Sequence, residues 1–163
     1  MTTKTKPIIA ISSCLLGELV RYNKGHCKES WIVDELSKFV ELYPVCPEVE
    51  MGLGTPREEI HLYYDKGDEK NIKLKSKHTN IELTQKAQET YKVMGTKLSQ
   101  KKIDGFILTK KSPSCGIDRV KTILKGNPQT IKQSVGLFAK YVMETYQNVP
   151  IIDSGRLHDK NYR

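Results

Sequence analysis

Pro7-Ile-Ile-Ala-Ile-Ser-Ser-Cys14 is a short apolar run ending in two small polar residues and a thiol. Two later segments repeat the arrangement: Glu41-Leu-Tyr-Pro-Val-Cys46, and Gly105-Phe-Ile-Leu-Thr109 followed by Lys110-Lys-Ser-Pro-Ser-Cys115. Each run has the length and composition of a buried strand, and each cysteine stands just beyond its carboxyl end. In an open α/β sheet, ligands bind outside the carboxyl ends of the strands. Three thiols delivered there from distant parts of the chain can meet in one crevice. Three soft donors converging on a point suggest a metal centre with one position left free.

Outward from these runs, the pattern alternates. A helix is expected after Ser30, a competent N-cap, with Ile32, Leu36, Phe39 and Val40 on one face and Asp34 and Glu35 in its early turns. Pro47 and the glycines of Met51-Gly-Leu-Gly-Thr-Pro56 turn the chain after the second strand. Ile60-His-Leu-Tyr-Tyr64 and Ile72-Lys-Leu-Lys75 flank a polar, glycine-containing turn and read as an antiparallel hairpin inserted near the site. Thr84 opens a helix whose stripe is Ala87, Tyr91, Met94 and Leu98, with Lys97, Lys101 and Lys102 in its last turn. Ile131, Val135, Phe138 and Val142 predict a further helix over 129–147, and Val149-Pro-Ile-Ile152 a last strand. Strands alternating with helices predict an α/β fold: a mainly parallel sheet with helices on both faces and a small hairpin insertion. The domain is expected to span 1–152, with 153–163 a polar tail or linker.

With 163 residues and 37% hydrophobic content, one domain with an ordinary core is the simplest arrangement. No apolar stretch approaches the length needed to span a bilayer, and Met1-Thr-Thr-Lys-Thr-Lys6 leads into a strand too short for a signal-peptide apolar region. A cytoplasmic location without a membrane partner is the expectation. There thiols stay reduced, so four cysteines read as free, metal-bound or catalytic rather than paired. The formal charge of +8 is concentrated in part between residues 97 and 125, which hold eight Lys/Arg against two acidic residues. Solvated lysines account for this, as does attraction of a nucleotide or RNA; no RNA-binding aromatic motif accompanies the charge.

Spacings of 32 and 69 residues between the three cysteines match no compact ferredoxin run, and no paired CxxC knuckles mark a zinc ribbon. A buried cysteine is also a common small core residue. Glu48, two residues after Cys46, and Ser112, three before Cys115, are placed to move protons or orient water beside a metal. Locally they read as well, or better, as a surface charge and a pre-proline turn residue. Gly52-Leu-Gly54 lacks the spacing of a phosphate loop or a dinucleotide site.

Ser13-Cys-Leu-Leu-Gly17 with Val20-Arg-Tyr22, Val45-Cys-Pro-Glu-Val49, Gly52-Leu-Gly-Thr-Pro-Arg57 and Lys111-Ser-Pro-Ser-Cys-Gly116 resemble the signature blocks of the thiouracil desulfidases. The resemblance extends from about residue 8 to 159 and includes Gly136-Leu-Phe-Ala139 and Gly155-Arg-Leu-His-Asp159, an ending similar to that of longer members in which this module precedes a second domain. It implies a Rossmann-like domain with a [4Fe-4S] cluster held by Cys14, Cys46 and Cys115, one iron left open. It also implies non-redox removal of sulfur from thiolated uracil or thiouridine, giving uracil or uridine and sulfide, with Glu48 and Ser112 as catalytic residues. The substrate is then a thiolated pyrimidine base or nucleoside, and a thiolated tRNA is a further candidate. Cys27 departs from the ligand pattern and is expected to be a bystander. Arg21, Tyr22, Asn23, His26 and Arg57 are candidate substrate-binding residues. The alternative from another class is a non-catalytic iron–sulfur carrier or an RNA-associated module.

Overall fold

The computed structural model describes residues 6–159 and 161; the rest of the lysine-bearing N-terminal segment and the end of the expected tail lie outside the described residues. Four strands, β1 (Ile8–Ser12), β2 (Glu41–Val45), β5 (Gly105–Leu108) and β8 (Ile151–Asp153), form a wholly parallel sheet in the order β2-β1-β5-β8. β1 lies between β2 and β5, so the first crossover runs one way along the sheet and the later ones the other. The carboxyl ends of β1 and β5 therefore flank the switch point of the topology, where such sheets bind ligands.

Alternation along the strands sorts the core into two layers. Ala10, Phe106 and Leu108 face one side, packed with Ala87, Tyr91, Met94 and Leu98 of α3 (Thr84–Lys101) and Phe138 and Val142 of α4 (Leu137–Thr145). The rings of Tyr91 and Phe138 meet at a centroid distance of 5.3 Å. Ile11 and Ile107 face the other side, against Leu15, Ile32 of α1 (Ser30–Asp34) and Leu157. Both faces of the sheet are thus covered, as the alternation predicts. No helix among the described residues is long and apolar enough to cross a membrane.

The outer parts of the chain differ from the sequence reading. β3 (Ile60–Asp65) and β4 (Asp68–Ser76) do form the expected antiparallel hairpin. However, β3 also pairs in parallel with β6 (Val120–Leu124), which the periodicity missed, and β6 pairs with β7 (Asn127–Ser134). The hairpin is therefore half of a second four-stranded sheet, β4-β3-β6-β7. The helix expected over 129–147 is only α4: its first third is β7, and Ile131 is 51% exposed. The turn at Lys125-Gly126, with Gly126 at φ 79°, reverses the chain into a hairpin, and Gly136 then N-caps α4. The helix after Ser30 is shorter than expected; Glu29 occupies the N-cap, a 3₁₀ turn follows at Leu36–Lys38, and Phe39 is 68% exposed instead of joining the apolar face. Packing also continues past residue 152. Asp153 and Ser154 are buried, the Asp153 carboxylate accepts the Arg156 N–H at 3.0 Å, and Leu157 joins the second core layer.

Candidate metal and acid–base site

Each thiol reaches the site from the end of a strand. Cys14 lies in a 3₁₀ turn (Ser13–Leu16) directly after β1, and Cys46 N-caps α2 (Pro47–Glu50), the one-turn helix that carries Glu48. Cys115 closes the loop after β5. That loop is held by the start of α4, whose first-turn N–H groups lack intrahelical acceptors. Leu137 N–H donates to Pro113 O at 3.0 Å and Ala139 N–H to Ser114 O at 2.9 Å. A Cβ on Gly136 would stand 2.5 Å from Ser114 O, so only glycine permits this approach.

Cys14, Cys46, Cys115, Glu48 and Ser112 line one cavity of about 380 Å³, and Arg21, Tyr22 and Arg57 lie on the same wall. Asn23 and His26 are not among the lining residues. The Asn23 carboxamide accepts the Gly25 N–H at 2.9 Å, and His26 Nδ1 the Lys28 N–H at 3.1 Å, so both shape a local turn. Cys27 is absent from the lining too, yet its N–H donates to Cys14 O at 3.0 Å. The neighbouring Cys27 thiol and burial push Cys14 up, while the Cys14 thiol and the Arg21 charge hold Cys27 down, to about 7, against burial. The Cys14 sulfur also lies 3.0 Å from Thr109 Oγ1. Burial pushes both Cys46 and Cys115 up, so without a cation these thiols keep their protons.

The carboxylate beside these thiols is tightly held. Arg57 donates twice to Glu48 Oε2, from Nε at 2.9 Å and from Nη2, while its Nη1 donates to Val20 O at 2.8 Å and Gly54 O at 2.9 Å. The Glu48 and Arg57 side chains are 15% and 6% exposed. With its guanidinium spent in this way, Arg57 orients Glu48 and has little left for a substrate. Ser112 Oγ accepts the backbone N–H groups of Cys115 at 3.0 Å and Ser114 at 3.2 Å, which fixes the loop that presents the thiol. Ser114, which the sequence reading passed over, donates from its hydroxyl to Glu48 Oε1 at 3.1 Å. The only sequence signal for it is its place in the same Ser-Pro-Ser-Cys motif. Lys110 and Lys111 also lie on the cavity wall, and neither forms an ion pair among the described residues.

Three thiols on one cavity are a donor set chemically suited to an iron–sulfur cluster. Among the described residues no three His, Cys, Asp or Glu side chains close tightly enough to grip one metal ion. Three thiols instead stand around a roomy cavity, as ligands on separate corners of a cluster must.

A family model described as 2-thiouracil desulfurase matches residues 9–154. Among solved structures, one described as a [4Fe-4S]-dependent thiouracil desulfidase, TudS, aligns with a TM-score of 0.71 at 20% identity, covering 98% of this chain and 97% of that one. At that identity the likeness establishes a common fold. No curated protein matches the sequence significantly.

Proposed function

Since the chain belongs to the 2-thiouracil desulfurase family, we propose that it replaces the sulfur of a thiolated uracil, as base or nucleoside, with oxygen from water and releases sulfide. The observation that carries this reading is the meeting of three strand-end thiols and one clamped carboxylate on the wall of a single cavity.

Cys14, Cys46 and Cys115 would hold a [4Fe-4S] cluster with one iron open. When bound, the cluster supplies a soft Lewis acid for the thiocarbonyl sulfur, a match of donor and metal softness that needs no net electron transfer. The chain's own part is acid–base work. Arg57 fills both lone-pair directions of Glu48 Oε2 and Ser114 one of those on Oε1, which leaves one acceptor position on Oε1. That oxygen takes the proton of the attacking water and later returns it as the carbon–sulfur bond breaks. Ser112 holds the Cys115 loop in place from within. Arg21 and Tyr22, which stack on each other with the guanidinium 5.8 Å from the ring centroid, offer a wall for a flat pyrimidine. Lys110 and Lys111 favour a substrate that also carries phosphate, as a nucleotide or a thiolated tRNA does.

The test is anaerobic cluster reconstitution followed by incubation with 2- and 4-thiouracil, their nucleosides and thiolated tRNA. Stoichiometric uracil (or uridine) and sulfide is the expected result. A cluster-loaded protein that releases neither from any of these substrates would instead be an iron–sulfur carrier.

A further inference from the structure

Behind the cavity wall a second hydroxyl stands in line with Glu48. Ser114 is 0% exposed and does not line the cavity, yet its hydroxyl reaches the one carboxylate oxygen that Arg57 leaves unclaimed. Tyr91 of α3 lies in the same core layer as Cys115, its hydroxyl buried and without a hydrogen-bond partner among the described residues. The bond from Ser114 to Glu48 is thus made inside the packed core, where no solvent competes for it.

We propose that Ser114 is a positioning residue for the desulfuration, its buried hydroxyl fixing Glu48 Oε1 in the orientation that meets the attacking water. The proposal rests on the reading of Glu48 as the proton carrier. Arg57 alone leaves the carboxylate free to rotate about its Cγ–Cδ bond at the cost of one of its two hydrogen bonds. Ser114 removes that freedom on the oxygen that reacts. The peptide carbonyls of Pro113 and Ser114 are themselves pinned by α4, so the hydroxyl is held from a rigid support.

The experiment is a double-mutant cycle on the reconstituted protein: Ser114→Ala, Glu48→Ala and the pair, with kcat, KM and iron per chain measured for each. Ser114→Ala is expected to lower kcat about tenfold to thirtyfold, in line with loss of one oriented hydrogen bond at a reacting oxygen, with KM and iron content unchanged. On the Glu48→Ala background it should add nothing. Ser114→Thr, which keeps the hydroxyl, should hold kcat within about threefold of the parent with KM and iron content again unchanged; it decides the matter if Ser114→Ala does not fold, and a loss as large as that expected for alanine would overturn the proposal. An equal loss in both backgrounds, loss of iron, or a loss carried by KM would make Ser114 structural and overturn the proposal. An innocuous Ser114→Ala beside a damaging Glu48→Ala overturns it alone. Full activity of Glu48→Ala overturns it together with the acid–base assignment.

Discussion

The cavity's two sets of side chains, a thiol wall and a carboxylate wall joined at α2, are built on opposite plans. On the thiol wall, the Cys14 sulfur has only Thr109 Oγ1 within hydrogen-bond reach, at 3.0 Å, among the contacts of the described residues, and Cys46 and Cys115 stay protonated through burial. On the carboxylate wall, both Glu48 oxygens are engaged by side chains that are themselves fixed. The first wall must shed protons and settle its sulfurs when a cation arrives. The second is complete beforehand, which is what a group that must act in a transition state requires. The difference teaches that ligation and acid–base work are separable here: changes on one wall should move iron content, and changes on the other should move rate.

The sharpest way to break this division is on the thiol wall. Cys46→Ser and Cys115→Ser should each reduce iron per chain toward zero and abolish desulfuration, because the serine hydroxyl is a poor replacement for a thiolate. A variant that keeps a full cluster by absorbance would remove that residue from the ligand set. Glu48→Ala should come next, with a loss of about a hundredfold or more in kcat, the usual scale for a positioned proton carrier, and iron content retained. It also leaves Arg57 largely buried without its partner, so the apo protein should lose about 3 kcal/mol of stability by denaturant unfolding. Iron lost together with rate would show that the walls are not independent.

What the sequence revealed follows the same division. The thiols were legible because each follows an apolar strand run, and a parallel sheet gathers strand ends by its topology alone. The site's second wall was legible only as the single residue Glu48. That Arg57 clamps it depends on a turn between residues 50 and 57 whose path no periodicity reports, so Arg57 read as a pocket residue. Ser112 and Ser114 occupy one motif, and which hydroxyl faces Glu48 depends on the path of a loop whose Pro113 and Ser114 carbonyls the first turn of α4 pins and whose Ser112 carbonyl Gly116 N–H holds. The second sheet failed for a different reason. Ile131, Val135, Phe138 and Val142 are spaced as a helical stripe, but a hairpin turn at Gly126 and a cap at Gly136 put Ile131 in β7, Val135 in the link after it, and only Phe138 and Val142 in α4. A helix period that crosses a glycine carried less weight than the β-branched residues before it.

Arg57→Lys sharpens the comparison at intermediate size. Lysine keeps the charge but not the planar fork that grips Oε2 twice, so kcat should fall about tenfold, near 1.4 kcal/mol in the barrier, with iron content unchanged. A loss confined to KM would instead mark Arg57 as a substrate contact.

The smallest effect is expected at Cys27, and it tests the thiol wall most directly. Cys27 is tied to Cys14 through its backbone N–H, yet it stays off the cavity lining that the other three cysteines share. Serine keeps the N–H bond to Cys14 O and is close in size, so Cys27→Ser should change stability by no more than about 1 kcal/mol. Iron per chain and desulfuration should stay within about twofold of the parent, a difference near 0.4 kcal/mol. If iron instead falls as it does in Cys46→Ser, Cys27 is a fourth ligand, the corner reserved for the substrate's sulfur is occupied from within, and the soft wall has no opening through which the chemistry proposed for it can proceed.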